Sequence, residues 1–290
     1  MTRHDRYQFT RRGFLGTAIA AGSVAAAGPL MAADTPLRIG MVPDAGATQV
    51  SVEAKAPLQA YLEKALGRPV KLIVPTNYNA TVEGLGNGSL DVAYLGGLTY
   101  VKAHKRYGAV PLVQRKTDRE FHSLFITRAG SGITKLADLK GKSFAFGDVN
   151  STSGHLMPFH AMKAAGIDPE TDIKARFTGS HPATIKAVEA GVVAAGACDE
   201  TVFHQMVKDG KVDPAKVTVF YTTEPFVDYV WVARKGLDDA TRTAIVKAFT
   251  ALTPETDSKV LDILRGTEFV KADDKEYDLL RDTAKQAKLF

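Results

Sequence analysis

From Leu37 onward, short apolar runs alternate with stretches whose apolar residues recur every three to four positions. "LRIGMVP" (37–43), "VKLIVP" (70–75) and "LDVAYLG" (90–96) read as strands. Between them, 52–66 reads as an amphipathic helix, with Ala56, Leu58, Tyr61, Leu62 and Leu66 near one face and Gly67 as its stop. A second helix runs to about Gly84 and a third spans 97–107. "AVPLVQR" and "HSLFITR" are strand-like, and "ITKLADLKGKSFAFG" gives a helical turn, a Lys-Gly-Lys turn and a strand. The second half repeats this logic. Helices are expected over 154–165, over 181–191 and in "TVFHQMVKDG", and strands in "IKARFTG", "VVAAGACDE", "VTVFYTT" and "YVWVARK" (229–235). From Asp238 the pattern reads almost entirely as helix. Such alternation is the mark of an α/β protein.

The arrangement predicts two lobes joined by two crossing strands rather than two domains in series. "HSLFITR" and "YVWVARK" are the candidate crossings. The first lobe would hold 34–118 plus 236–290, and the second 119–235. Lobes of this kind close on a ligand by hinge motion and bury it between them.

Charge changes this picture little. The 290 residues carry a net charge of +5, from 37 basic and 32 acidic side chains. Arg3, Arg6, Arg11 and Arg12 fall in the first 33 residues with only Asp5 against them, so the remainder holds 33 against 31, about +2. The chain has no basic stripe interleaved with aromatics, and nucleic acid is not an expected partner. The arginine-led start, the Ala-rich run to about Ala27 and the small residues after it read as an export signal over 1–33. The Arg11-Arg12 pair ahead of Phe14-Leu15 is similar to a twin-arginine signal, with cleavage expected near Ala32 or Ala33. A single cysteine, Cys198, excludes an intramolecular disulfide, and its "AAGAC" setting reads as a buried small hydrophobe.

Chemistry concentrates in "FGDVNSTSGHLMP" (146–158), where Ser151, Thr152 and Ser153 stand between an expected strand and an expected helix. A helix start leaves its first N–H groups without partners and carries partial positive charge. Hydroxyls added there make a socket for a tetrahedral oxyanion. One Ser or Thr would suffice for capping alone. The Gly-Lys-Ser/Thr ending of a nucleotide P-loop is absent, as is the Gly-x-Ser-x-Gly of a hydrolase elbow. Other polar residues fall at strand ends, where α/β proteins collect ligands: Tyr78, Tyr94, His181, Asp199, Glu200 and Asp228. Acids beside an anion socket require a ligand that also carries a cation or a proton.

The stretch "GDVNSTSGHLMP", with "NYNATVEGLGNGSLDVAYLGGLTYV", "GSHPATIKAVEAG" and "PFVDYVW", resembles the phosphonate-binding (phosphate/phosphite/phosphonate) solute-binding proteins of bacterial ABC importers. The likeness covers essentially the whole chain after the signal. It implies a two-lobed α/β fold of the periplasmic-binding type, no catalysis, no cofactor and no metal, and an inner-membrane permease as partner. By this resemblance Ser151, Thr152, Ser153, Tyr78 and His181 hold the phosphonate oxygens. Glu200 and Asp228 take an ammonium group in members that bind aminoalkylphosphonates, with Asp199 the alternative to Glu200. Some members begin the first crossing strand with a tyrosine; this chain has Phe121 and then His122.

The expected function is capture of a phosphonate in the periplasm, with an aminoalkylphosphonate such as 2-aminoethylphosphonate as the leading ligand. Phosphite or phosphate binding is the alternative, and a ligand-sensing subunit would use the same closure. A hydrolase using Ser153 and His181 is unsupported, since the chain carries no metal-ligand cluster or paired-His motif.

Overall fold

Two β-sheets divide the chain. The computed structural model describes residues 35–43 and 52–289, and the expected export signal lies outside the described residues. The strands are β1 (Leu37–Met41), β2 (Val70–Ile73), β3 (Val92–Leu95), β4 (Val110–Arg115), β5 (Ser123–Arg128), β6 (Ser143–Phe146), β7 (Lys174–Phe177), β8 (Ala195–Asp199), β9 (Val217–Thr222), β10 (Val230–Ala233) and β11 (Phe269–Lys271). The helices are α1 (Ala56–Leu66), α2 (Tyr78–Gly86), α3 (Gly97–Tyr107), α4 (Met157–Ala164), α5 (His181–Glu189), α6 (Glu200–Lys208), α7 (Asp239–Thr250), α8 (Pro254–Leu264) and α9 (Asp278–Gln286).

The first sheet has the order β11-β4-β10-β3-β1-β2, and the second β7-β6-β8-β5-β9. In the first, β1 runs parallel to β2 and β3; in the second, β6 runs parallel to β7 and β8. Parallel strands followed by helices send every loop of consequence to the carboxyl ends of the strands. Buried on both faces, β3 and β10 read as unbroken apolar runs, unlike an alternating half-exposed strand. One large core surrounds the first sheet and two smaller ones cover the second. Leu156 and Met157 follow the hydroxyl trio, yet they pack into the core of the first sheet. Cys198 lies buried in β8, and burial pushes its thiol well above the ordinary range.

Three expectations change. The segment 229–235 is expected as the second crossing at the end of the second lobe, but β10 hydrogen-bonds to β3 and β4 in the first sheet, so the chain returns ahead of Val230. The C-terminal third is not all helix: β11 adds an edge to β4, a three-residue strand too short to show periodicity. The helix expected from 154 opens with a π-helical turn over Thr152–Leu156 before α4. The wider turn belongs to the hydroxyl trio itself, and such turns concentrate at functional sites.

Candidate functional site

The site is built where strand ends meet helix starts. Gly96 ends the strand β3 and precedes α3, and having no side chain it cannot cap that helix. Two residues from elsewhere supply the missing acceptors. Asp228 Oδ1 accepts from Gly97 N–H at 2.8 Å, and Thr152 Oγ1 accepts from Leu98 N–H at 3.0 Å. A Cβ on Gly96 would lie 3.2 Å from Thr152 Oγ1 and 3.3 Å from Asp228 Oδ1, so a side chain there would press on both acceptors. Thr152 thus carries the second sheet's hydroxyl loop to a helix of the first. One turn along α3, Lys102 Nζ donates to Asn150 Oδ1 at 2.7 Å, a second bond between the same two segments.

Ser151 behaves as a cap, its Oγ accepting from Gly154 N–H at 3.0 Å. That oxygen also lies 3.4 Å from His181 Nε2. His181 opens α5, where Ser180 caps the helix, and its Nδ1 accepts from the Asp199 N–H at 3.1 Å. A ring nitrogen that accepts from an amide holds no proton, so the neutral imidazole carries its hydrogen on Nε2 and points a donor at the trio. Gly154 is more constrained than Gly96: a Cβ there would meet His181 Cε1 and Ser151 Oγ, each at 2.9 Å.

Each of these side chains is interior. Ser151, Thr152, Ser153, His181, Asp199 and Asp228 are at most 2% exposed, and Tyr78 is 1% exposed. Ser153 Oγ, Asp199 Oδ2 and Asp228 Oδ2 are buried without a hydrogen-bond partner among the described residues. Leaving such a group unsatisfied costs about 1–3 kcal/mol, so each of the three can take a further polar partner.

The acids separate into three environments. Burial pushes the Asp228 carboxyl up to about 7; the Gly97 amide and the Thr152 hydroxyl oppose this, while the charges of Asp199 and Asp118 add to it. Burial also acts to raise Asp199, but the charge of Arg265, the Val202 N–H and the charge of Arg115 act against it, and the carboxyl is held below its ordinary value. Asp199 caps α6, its Oδ1 accepting from Val202 N–H at 2.9 Å and from Thr201 Oγ1 at 2.7 Å. Glu200 is raised by burial and accepts at Oε1 from the His122 N–H at 3.0 Å. His122 in turn donates Nδ1–H to the Thr223 carbonyl at 2.7 Å.

Ser151, Thr152, His181, Asp199 and Asp228 therefore belong to one run of contacts, and Glu200, which opens α6, forms a neighbouring pair with His122 on the first crossing. Tyr94 stacks on Tyr229, with ring centroids 5.0 Å apart, and so stands against the residue after Asp228. Phe121 packs edge-on against Tyr229 and Phe226 and has no hydroxyl to offer. Tyr78 opens α2 behind β2, where Asn77 caps the helix. Reading the sequence missed Arg115 and Asp118, a fully buried pair whose "QRKTDRE" context looks like a solvated turn.

A family model described as "ABC transporter, phosphonate, periplasmic substrate-binding protein" matches residues 39–277. The chain belongs to that family. It is 31% identical over 256 residues to the probable ABC transporter phosphite binding protein PhnD1 of Prochlorococcus marinus, covering 83% of this chain and 86% of that one. The structure of PhnD1 in complex with methylphosphonate superposes with a TM-score of 0.82 at 29% identity, over 88% of this chain and 98% of that chain. A binding protein component of a Pseudomonas aeruginosa ABC phosphonate transporter shares the fold, with a TM-score of 0.79 at 21% identity over 88% and 87% of the two chains. The two-sheet α/β architecture is thus that of periplasmic binding proteins, and family membership implies a periplasmic location and a binding role in an ABC transporter.

Proposed function

We propose that this protein captures a small phosphorus oxyanion, phosphite or a short alkylphosphonate, and delivers it to an ABC permease of the inner membrane without catalysing a reaction. The observation that carries this reading is that three of the buried atoms without a hydrogen-bond partner, Ser153 Oγ and the second oxygens of Asp199 and Asp228, belong to the expected oxyanion residues. A tetrahedral anion would take the Ser153 hydroxyl and the His181 Nε2–H on its oxygens, with Tyr78, Ser151 and Thr152 completing the grip. Asp228, raised to about 7, is matched to a ligand that still carries a proton. A hydrogen bond between that carboxyl and a P–OH satisfies both partners, whereas a fully ionised oxyanion without a proton meets a carboxylate that repels it. PhnD1, whose name gives phosphite and whose complex holds methylphosphonate, supports ligands of this size.

A second reading, an aminoalkylphosphonate, is favoured by the number of acids. Glu200 and Asp228, with Asp199 beside them, could enclose an ammonium group. Calorimetry with phosphite, methylphosphonate and 2-aminoethylphosphonate on the Asp228→Asn and Glu200→Gln proteins separates the two. The first reading expects Asp228→Asn to weaken phosphite and methylphosphonate, with Glu200→Gln close to neutral for both. If both substitutions selectively abolish 2-aminoethylphosphonate binding and spare methylphosphonate, the second reading replaces it.

A further inference from the structure

Arg115 and Asp118 form an ion pair that the oxyanion site does not use. They are 1% and 0% exposed. Arg115 Nε donates to Asp118 Oδ2 at 2.9 Å and to Oδ1 at 3.0 Å, its Nη2 also reaches Oδ1, and the Arg115 backbone N–H donates to Oδ2 at 3.0 Å. The remaining guanidinium nitrogen, Nη1, donates to the Arg265 carbonyl at 3.1 Å. A pair this deep is a poor source of stability, because desolvating both charges offsets most of their attraction, and apolar replacements often match it. Its value has to be sought in geometry.

The pair sits where the chain passes between the two sheets. Arg115 ends β4, and Phe121 lies on the crossing toward β5; Phe226 and Asp228 lie on the return toward β10. Phe121 and Phe226 exchange both backbone hydrogen bonds at 2.9 Å, and Asp228 donates its N–H to the Asp118 carbonyl at 3.0 Å. The guanidinium lies 5.8 Å from the Phe121 ring centroid and 5.3 Å from that of Tyr229, one ring from each crossing. Arg115 therefore touches both connections at once, and Asp118 holds the peptide from which the Asp228 side chain reaches Gly97.

We infer that Arg115 and Asp118 are positioning residues: they pin the two crossings together and fix Asp228 at the oxyanion site, so that ligand affinity depends on two residues outside the ligand's own contacts. The consequence for affinity rests on the proposed oxyanion function; the pinning of Asp228 does not. Arginine suits this role because its planar fork binds one carboxylate at two points while its face packs on aromatic rings.

The test combines amide hydrogen exchange at Asp228 with methylphosphonate affinity, in Asp118→Asn, Arg115→Lys and a control, Asp91→Asn. Asp91 is also buried and ion-paired, to Arg38 and Arg234, but it precedes β3, at the end of that strand opposite Gly96. Asp118→Asn is expected to speed exchange of the Asp228 amide and to weaken methylphosphonate, each by about tenfold or more. Arg115→Lys keeps the charge without the fork and should recover part of both effects, which also serves if Asp118→Asn folds poorly. Asp91→Asn should lower the melting temperature while leaving both readouts within about twofold of the parent. Unchanged exchange and affinity in both folded variants, or equal loss in the Asp91 control, would overturn the inference. If the parent protein binds neither methylphosphonate nor phosphite, the functional reading fails, and exchange at Asp228 still decides whether the pair pins the crossing.

Discussion

Asp199 donates its backbone N–H to His181 Nδ1 at 3.1 Å, and this contact decides which ring nitrogen faces Ser151. The proton of the neutral ring is on Nε2, so in the proposed site His181 would meet an anion as a donor without needing a positive charge. Replacing His181 by Gln keeps a polar group but loses this fixed orientation. Hydrogen bonds to charged groups are worth about 1.5–3 kcal/mol, so His181→Gln should weaken oxyanion binding by about 10- to 100-fold in calorimetry. Affinity within experimental error of the parent would remove His181 from the site.

Asp228 gives the ligand-free protein a distinct dependence on pH. Its carboxyl ionises near 3.8 when unfolded and near 7 in the fold. Below the lower value both states hold the proton and the residue contributes no difference. Between the two values only the folded state retains it, so stability falls as pH rises, by about 1.4 kcal/mol per pH unit, and levels off above about 7. Asp228→Asn lacks this fall. Urea titrations should show the variant gaining on the parent from pH 4 to 7 and holding its advantage at higher pH. Parallel curves would mean that Asp228 is not the buried acid described.

Gly154 leaves no space for a methyl group, since its Cβ would fall 2.9 Å from both His181 Cε1 and Ser151 Oγ, with Gly147 Cα behind at 3.3 Å. Gly154→Ala should cost about 1–3 kcal/mol of stability through overpacking. It should also weaken ligand binding, because the displaced groups are the imidazole and the capping hydroxyl. A thermal melt paired with a binding curve checks both effects.

Thr152 joins the two sheets through the Leu98 amide. Thr152→Val keeps the shape and removes the acceptor, leaving that N–H unsatisfied whenever the segments meet, at a cost of about 1–3 kcal/mol. Small-angle scattering should then show a larger radius of gyration than the parent under the same conditions. Identical scattering would mean that the Thr152 bond does not hold the two sheets in contact.

Much of this was legible in the sequence because it is local. Three consecutive hydroxyls between an apolar run and a helix mark a polar helix start without reference to anything distant, and α3 was read at its full extent, 97–107. His181 was legible for the same reason, as the first residue of a helix after a strand. What escaped depends on remote partners. Nothing near Thr152 reveals that its oxygen caps a helix 54 positions earlier. Nothing in "QRKTDRE", where five of seven residues are charged, shows that Arg115 and Asp118 are interior while Lys116 is exposed. The π-helical turn was hidden too, since turn width follows from how Ser151 and Gly154 bond rather than from periodicity.

The central claim is that this site closes on a small phosphorus oxyanion that shares a proton with Asp228. Isothermal titration of the protein with phosphite, methylphosphonate, phosphate and sulfate tests it most directly. Saturable binding of phosphite or methylphosphonate, weakened in Asp228→Asn and weaker or absent for sulfate, is the predicted result. Sulfate binding as tight as any phosphorus oxyanion and indifferent to Asp228, or no binding of phosphite and methylphosphonate at all, would contradict it.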